Sequence, residues 1–188
     1  NFLLWWRVSK INIIPFTKED KNHMADAAEL LIEAFPHSYS DCANEEVEKC
    51  FEDNRIAFMA IEDDKLIGFA GAIPQYGVTG WELHPLVVKR AYRHNGIGSM
   101  LVAALEREVA KRGGITIYLG SDDESGSTSL SNTDLYQDTF RKIESIENLA
   151  HHPFEFYSKI GYKIVGVIPD ANGIGKPDIW MAKRIVNN

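Results

Sequence analysis

The feature that most constrains this chain is a glycine-bearing turn between an apolar run and an amphipathic helix. The apolar run extends from Leu83 to Val88, and the turn contains Gly96 and Gly98. The apolar residues that follow recur at helical spacing and form one stripe: Ile97, Met100, Leu101, Ala104, Leu105 and Val109. The pattern predicts a strand, a turn and a core-facing helix in direct succession.

The turn has the composition of a phosphate-binding site. Glycine lets the backbone approach a ligand closely, and the N–H groups of a first helical turn attract an anion. The segment lacks the Gly-Lys-Ser/Thr of a Walker loop and the third glycine of a dinucleotide fingerprint. A plain strand–turn–helix corner is the alternative. We predict that phosphate is held by Arg93, His94, Asn95, Gly96, Ile97, Gly98 and Ser99.

Periodicity and turn residues predict the element order β-α-α-β-β-β-α-β-α-α-β-β. Strands are expected at 11–15, 56–61, 66–76, 81–88, 115–119, 162–168 and 178–185. Helices are expected at 25–34, from Asn44 as N-cap to Phe51, from Ile97 to the Gly113-Gly114 stop, at 133–149, and from Pro153 to Gly161. The polar stretch 120–132 indicates a functional or mobile loop. The predicted fold class is α/β, with a central mixed sheet flanked by helices.

Composition limits the class of protein. A chain of 188 residues with 45% apolar residues is long enough for one packed domain, assigned to 11–188, after an N-terminal extension at 1–10. The formal charge of −7 argues against nucleic acid and suits a cationic substrate, although a solvated acidic surface is the commoner meaning. The apolar run Phe2 to Trp6 is too short to span a bilayer, so no membrane partner is expected. Two cysteines without an evident secretory signal favour a cytoplasmic protein.

Two motifs resemble those of the GCN5-related N-acetyltransferases. Arg93, Gly96 and Gly98 match in full the Arg/Gln-x-x-Gly-x-Gly/Ala signature of that family's acyl-CoA pyrophosphate loop. The pair Phe156-Tyr157, followed by Gly161-Tyr162, resembles the family's closing motif. The resemblance implies acetyl-CoA as co-substrate and no metal.

A longer likeness points to aminoglycoside 6′-N-acetyltransferases of the enterococcal chromosomal type. It is carried by segments 74–88, 113–120, 161–169 and 176–183, and it is weaker in the first two helices. The resemblance implies direct acetyl transfer to the 6′-amine of an aminoglycoside in a ternary complex, by a homodimer.

Two polar residues share one face of the strand that precedes the turn. Side chains alternate along a strand, so Glu82 and His84 lie on one face and Leu83 on the other. A protonated amine must lose a proton before it attacks a thioester, and a carboxylate or imidazole can accept that proton. The alternative is an exposed edge glutamate and a core histidine. A polar pair on an apolar strand beside a phosphate turn favours the chemical role.

The remaining candidates follow from the same reaction. The backbone of Leu86, Val87 and Val88 is suited to pair with the extended pantetheine arm and to hydrogen-bond the thioester oxygen. Tyr157 is suited to protonate the leaving thiolate, with a buried structural hydroxyl as the alternative. His151 and His152 lack further ligands at metal spacing.

By position, the resemblance makes Glu82 the carboxylate that activates the amine, and places His84 and Trp81 on the acceptor side. Phe35 stands where the relatives have an acceptor-side tryptophan, and Asp122-Asp123-Glu124-Ser125 stands for their acidic loop, with serine at one acidic place. We therefore predict substrate contacts for Phe35, Trp81, Glu82, His84, Asp122 and Asp123. An N-acetyltransferase for another amine, such as a protein N-terminus or polyamine, and a non-catalytic CoA-binding module are the alternatives.

Overall fold

The computed structural model describes residues 10–186, and its elements follow the predicted order with two short additions. The strands are β1 Asn12–Pro15, β2 Ile56–Glu62, β3 Lys65–Tyr76, β4 Gly80–Val88, β5 Thr116–Asp122, β6 Lys163–Ile168 and β7 Asp178–Arg184. The helices are α1 Lys21–Ala34, α2 Pro36–Tyr39, α3 Ala43–Lys49, α4 Ile97–Lys111, α5 Thr139–Glu144 and α6 Phe154–Lys159. The additions are the one-turn helix α2 and a 3-10 turn at Arg90–Tyr92.

The seven strands form a mixed sheet in the order β1-β2-β3-β4-β5-β7-β6. Strands β4 and β5 are parallel. The pairs β1–β2, β2–β3, β5–β7 and β6–β7 are antiparallel. The predicted α/β class, a mixed sheet flanked by helices, is confirmed.

Contacts between Cα atoms divide the chain into two compact units. The first unit comprises the chain up to Val78 together with Leu83–Gly113, and the second comprises Thr79–Glu82 together with the chain from Gly114 onward. The single-domain organisation predicted for 11–188 stays a prediction. The predicted extension at 1–10 lies outside the described residues, apart from Lys10. No helix among residues 10–186 is both long and apolar enough to cross a membrane.

The first unit is built on the β2–β3 hairpin. Asp63 and Asp64 make its two-residue turn with φ of 46° and 60°, the left-handed conformation that suits such hairpins. Its core contains Phe16, whose ring meets Phe51 and Phe69 edge-on at centroid distances of 5.0 and 5.9 Å. The predicted stripe of α4 is buried except for Met100, which is 39% exposed; Val102, not predicted, is buried instead. The buried face of helix α4 is therefore rotated slightly about the helix axis from the predicted one.

The second unit buries one face of its strands. Strand alternation places Trp81, Ile117, Leu119, Ile179 and Met181 on that face, and each is at most 2% exposed. The burial of this set is enough to make it the core of the unit, because each large apolar side chain contributes roughly 1.5–3 kcal/mol when fully buried.

Several predicted boundaries are wrong. Helix α1 begins at Lys21, four residues before its predicted start. Helix α3 begins at Ala43 after Cys42, so Asn44 lies inside its first turn instead of capping it. Strand β5 continues to Asp122, because Ser121 and Asp122 pair with Ile179 and Asp178 of β7. The helix predicted over 133–149 is reduced to α5, since Asp134 accepts the Tyr136 N–H and Asp138 adopts a positive φ of 52°. Short polar side chains form local turns that compete with a helix.

Candidate active site

The glycine turn of the first unit ends at the start of α4, as predicted. Gly96 is the N-cap with φ 79° and ψ 0°, and Met100 N–H donates to its carbonyl at 3.0 Å. Helix geometry leaves the amides of Ile97, Gly98 and Ser99 without an intrahelical acceptor. A Cβ on Gly96 would meet nothing within 4 Å, so the positive φ is what requires glycine there.

The rest of the turn is tied to the end of β4. Arg93 is exposed, and its Nε donates to the Val88 carbonyl at 3.0 Å. Asn95 Nδ2 donates to the Tyr92 carbonyl at 3.4 Å, and His94 has a positive φ of 65°. The residues predicted to hold phosphate thus lie in one short segment, and all but Ile97 are exposed or half-buried.

Strand β4 alternates as the sequence predicts. Glu82, His84, Leu86 and Val88 are half-buried, whereas the intervening side chains are buried. Among the buried ones is Trp81, 2% exposed, so a direct substrate contact of its side chain would need its neighbours to move. Val87 is also 2% exposed, which leaves its backbone as the part able to meet a ligand.

Two glycines of β3 admit the backbone of β4. A Cβ on Gly71 would lie 2.6 Å from the His84 carbonyl oxygen, and one on Gly68 would lie 2.9 Å from the Val87 oxygen. Both separations are too short for real atoms, so each glycine permits a close approach that any side chain would block. Neither glycine was among the predicted site residues.

His84 lies in a polar cluster whose other members were not predicted from the sequence. Its Nε2 is 3.2 Å from Glu46 Oε1 on α3 and 3.3 Å from the hydroxyl of Tyr39 on α2. Lys49 Nζ donates to the other oxygen of Glu46 at 3.2 Å. Phe35, 42% exposed, packs edge-on against Tyr39 at a centroid distance of 5.9 Å. The first unit therefore brings Phe35 and His84 together through Tyr39.

In the second unit, the half-exposed face of the strands is acidic and aromatic. The registers Glu82–Tyr118, Gly120–Trp180 and Asp122–Asp178 place these side chains on one face. The rings of Tyr118 and Trp180 stack at 5.5 Å with an interplanar angle of 22°. This face therefore combines negative charge with a flat apolar surface.

Asp178, like Tyr118 and Trp180, was not among the predicted site residues. Trp180 Nε1 donates to its Oδ2 at 2.7 Å, while the buried Oδ1 finds no hydrogen-bond partner among residues 10–186. Burial raises the pKa of the Asp178 carboxyl, and the nearby charges of Asp122 and Glu82 raise it further, against the lowering effect of Trp180. A Cβ on Gly120 would lie 2.6 Å from Oδ2, so that glycine makes room for the carboxylate.

The loop after β5 is organised by Asp123. This side chain is 1% exposed and accepts hydrogen bonds from the Ser127 and Thr128 amides at 2.7 and 2.8 Å and from the Thr128 and Ser131 hydroxyls at 2.8 and 2.6 Å. Burial alone would raise its pKa, but these hydrogen bonds outweigh burial and hold the pKa below its ordinary value. Asp123 is thus placed in the interior, unlike the exposed Asp122, which accepts a hydrogen bond from Asn172.

Tyr157 lies on α6, the short helix that begins after Pro153. Its ring meets those of Phe156 and Tyr162 at centroid distances of 5.0 and 5.9 Å, and Tyr162 is fully buried. Burial raises the pKa of the Tyr157 hydroxyl well above its ordinary value. The hydroxyl therefore keeps its proton throughout the neutral range and can act as a donor.

His152 has a structural role. The Phe154 amide donates to its Nδ1 at 3.2 Å, so Nε2 carries the proton and donates to the Asp122 carbonyl at 3.1 Å. In the described part of the chain, no group of three or more His, Cys, Asp or Glu residues is arranged to hold a metal ion.

Comparison with known proteins places these features in a family. Residues 24–137 match the model of the acetyltransferase (GNAT) family. The chain therefore belongs to the GNAT acetyltransferases, and the family predicted from the two motifs is confirmed. No curated protein matches the chain.

Three solved structures are similar over nearly the whole chain. An aminoglycoside 6′-N-acetyltransferase in complex with coenzyme A is 55% identical, with a TM-score of 0.92, over 94% of this chain and 98% of that one. The aminoglycoside 6′-N-acetyltransferase from Enterococcus faecium is also 55% identical, with a TM-score of 0.90 and the same coverage. An aminoglycoside 6′-acetyltransferase of type Ii is 47% identical, with a TM-score of 0.77, over 94% and 99% of the two chains. The predicted likeness to this group is confirmed.

Proposed function

We propose that the protein transfers the acetyl group of acetyl-CoA to the 6′-amine of an aminoglycoside. The observation that carries the proposal is the 55% identity over 94% of the chain to an aminoglycoside 6′-N-acetyltransferase that binds coenzyme A. The residues below support it, because each step of the reaction has a side chain or backbone group of suitable chemistry.

The cofactor is assigned to the glycine turn and to the end of β4. The amides of Ile97, Gly98 and Ser99, at the positive end of the α4 dipole, hold the pyrophosphate together with Arg93. The backbone of Leu86, Val87 and Val88 pairs with the pantetheine arm. An N–H of that run hydrogen-bonds the thioester oxygen as it gains negative charge.

Proton transfer is assigned to Glu82 and Tyr157. Glu82 takes a proton from the substrate ammonium, and the freed nitrogen lone pair attacks the thioester carbon. The C–S bond breaks, and Tyr157 gives its proton to the departing thiolate. Because its pKa is raised, the Tyr157 hydroxyl carries this proton in the neutral range. Direct transfer in a ternary complex follows, because no side chain of the site needs to carry the acetyl group.

Substrate binding is assigned to the acidic and aromatic face of the second unit. The substrate contact predicted for Phe35, in the first unit, stays a prediction. Glu82, Asp122 and Asp178 offer negative charge to the ammonium groups, and Tyr118 with Trp180 offers a stacked surface for a sugar ring. His84 lines the acceptor side. The buried positions of Trp81 and Asp123 favour a supporting role, with Trp81 packed under β4 and Asp123 holding the loop.

Three further properties are part of the proposal. A homodimer is proposed on the likeness to the enterococcal enzymes, and light scattering of the purified protein tests it. A cytoplasmic location is proposed because acetyl-CoA is an intracellular metabolite and Cys42 and Cys50 are free thiols. Antibiotic resistance is proposed as the biological consequence, since an acetylated 6′-nitrogen no longer carries the ammonium charge.

The test compares kanamycin with paromomycin, which has a hydroxyl in place of the 6′-amine. Glu82 can deprotonate an ammonium, whereas a hydroxyl is far less acidic and needs a stronger base. We expect release of free CoA thiol and a singly acetylated product with kanamycin, and little or no turnover with paromomycin.

Mass spectrometry of both products decides between the outcomes. Similar acetylation of both drugs would reject transfer to the 6′-position. Acetylation of neither, with turnover of a polyamine or an N-terminal peptide, would favour the N-acetyltransferase for another amine. Binding of acetyl-CoA without turnover of any amine would favour a non-catalytic CoA-binding module.

A further inference from the structure

Within the described chain, the imidazole ring of His84 has two hydrogen-bond contacts, and both are to the same nitrogen, Nε2. Glu46 Oε1 lies 3.2 Å from Nε2, and the Tyr39 hydroxyl lies 3.3 Å from the same atom. The side chain of Glu46 is only 13% exposed, compared with 38% for that of His84. The carboxylate is therefore largely shielded from water at the point where it meets the ring.

The chemistry of the two partners decides which ring nitrogen carries the proton. An imidazole nitrogen either donates through its hydrogen or accepts through its lone pair. A carboxylate only accepts, and Lys49 donates to the second oxygen of Glu46 at 3.2 Å, so both of its oxygens act as acceptors. A lone pair on Nε2 would oppose the Glu46 oxygen at hydrogen-bond distance. The hydrogen must therefore be on Nε2, and the lone pair of the neutral ring is on Nδ1.

We propose that Glu46 is a positioning residue for His84, which it holds in the Nε2–H form so that Nδ1 accepts the second proton leaving the substrate nitrogen. The inference rests on the proposed function and adds to it a role for a residue on α3 that the motifs do not include. The arrangement follows the logic of a carboxylate that fixes the tautomer of a catalytic histidine and stabilises its charged form.

The proton balance of the reaction calls for a second acceptor. An ammonium loses one proton to become a nucleophile, and the nitrogen loses another after the new C–N bond forms. The first proton is assigned to Glu82. The second breaks its N–H bond to nitrogen and forms one to His84 Nδ1, giving an imidazolium opposite Glu46. One proton then replaces the proton that Tyr157 gave to the thiolate, and the other leaves to solvent. The products are the amide, CoA thiol and one proton.

The polar and charged groups around the His84 ring come from α2, α3 and β4. Glu46 meets it from α3 with Lys49 behind, and Tyr39 meets it from α2. On β4 itself, Glu82 is two residues earlier on the same face of the strand. On the neighbouring strand β3, Gly71 lies against the backbone of His84.

The first measurement reads the tautomer directly. The full-length protein is labelled with ¹⁵N-histidine, the His84 signals are assigned by comparison with His84→Asn, and the nitrogen shifts are recorded at a pH where the ring is neutral. We expect the Nε2–H form in the wild type and in Tyr39→Phe, which keeps Glu46. Glu46→Gln offers an amide N–H to Nε2, so we expect a shift of population toward Nδ1–H.

The second measurement reads the consequence for turnover. In Glu46→Gln, kcat with kanamycin should fall on the order of tenfold, as for loss of an assisted proton transfer, while KM changes less. Glu45→Gln is the matched control, because it removes the same charge from the neighbouring, exposed position of α3. It should leave both the tautomer and kcat as in the wild type. If Glu46→Gln does not fold, Glu46→Asp can be measured instead. It keeps the carboxylate and should retain the Nε2–H form.

Either of two results would overturn the assignment. One is an Nδ1–H ring in the wild type that becomes Nε2–H in Tyr39→Phe, which would make Tyr39 the donor to the ring. The other is a Glu46→Gln variant with the wild-type tautomer and kcat. Failure of the proposed function would be recognised by a different result, because the wild type would then release no CoA thiol with kanamycin. The NMR result on the free protein would still show whether Glu46 sets the tautomer of His84.

Discussion

Glu82 and Asp123 are two carboxylates of the same unit with opposite surroundings. Glu82 is half-buried on a strand face that it shares with Tyr118, Asp122 and Asp178. Asp123 is 1% exposed and accepts four hydrogen bonds from the loop that follows it. The carboxylate of Glu82 is partly accessible, whereas that of Asp123 is buried and hydrogen-bonded within the protein.

The difference shows how one chemical group serves either function or stability. A buried carboxylate costs several kcal/mol to desolvate unless donors surround it, and Asp123 has such donors from three residues. A carboxylate that takes a proton from a substrate must instead keep solvent or ligand access. Substitutions at the two positions should therefore affect different measurements.

The largest effect is expected at Glu82. Glu82→Gln preserves size but removes the proton acceptor, so kcat should fall on the order of 10²-fold or more, with the acidic limb of the pH–rate profile lost or displaced. The midpoint of urea unfolding and the affinity for acetyl-CoA should stay close to those of the wild type. Glu82→Asp, which keeps a carboxylate, should recover part of the rate. A wild-type profile in Glu82→Gln would assign the first proton transfer to His84 or to water.

Asp123 should show the reverse behaviour. In Asp123→Asn, an amide NH₂ faces groups that all donate, so we expect a loss of about 2 kcal/mol in the free energy of unfolding. Glu124→Gln is the control, because it removes a charge from the adjacent exposed residue and should change stability by less than about 0.5 kcal/mol. Urea unfolding at neutral pH measures both. If Asp123→Asn were as stable as the wild type but had a raised Michaelis constant, the result would support the predicted direct contact of Asp123 with the substrate.

The contribution of Asp123 to the free energy of unfolding should depend on pH in a predictable direction. The folded pKa of Asp123 is lower than the unfolded one, so the stabilisation is present above the unfolded value, about 3.9, and is lost as pH falls through the folded pKa. The stability difference between wild type and Asp123→Asn should therefore narrow in acid. Asp178 has a raised pKa and contributes in the opposite sense, because its protonated form is favoured by folding.

The sequence was sufficient where a periodic pattern or a turn residue determines the structure. The alternation of β4 fixed the faces of Glu82 and Leu83, and Gly96 marked the start of α4. It was insufficient where the outcome depends on long-range contacts. Glu46 is 38 residues from His84, and helical periodicity places it beside the apolar stripe of α3 without indicating which residue it meets. The burial of Asp123 was not predicted for a different, local reason: its donors are only four to eight residues away, but the turns of this polar loop follow no periodic pattern.

The smallest of these effects is expected at Gly96. Substitutions there test whether the glycine turn has a functional role, as proposed for Glu82, or only a structural role, as proposed for Asp123. Its φ of 79° favours glycine, but asparagine and aspartate both tolerate this conformation better than other residues. Gly96→Asn and Gly96→Asp are therefore nearly equal in shape and strain and differ in charge. If the amides of the turn hold pyrophosphate, the aspartate variant should bind acetyl-CoA about tenfold more weakly than the asparagine variant, a difference of about 1.4 kcal/mol. Calorimetry at low ionic strength measures both affinities, and added salt should reduce the gap because screening weakens the repulsion. Equal affinities in two folded variants would remove the turn from the cofactor site and leave Gly96 with the purely conformational role that its open surroundings also allow.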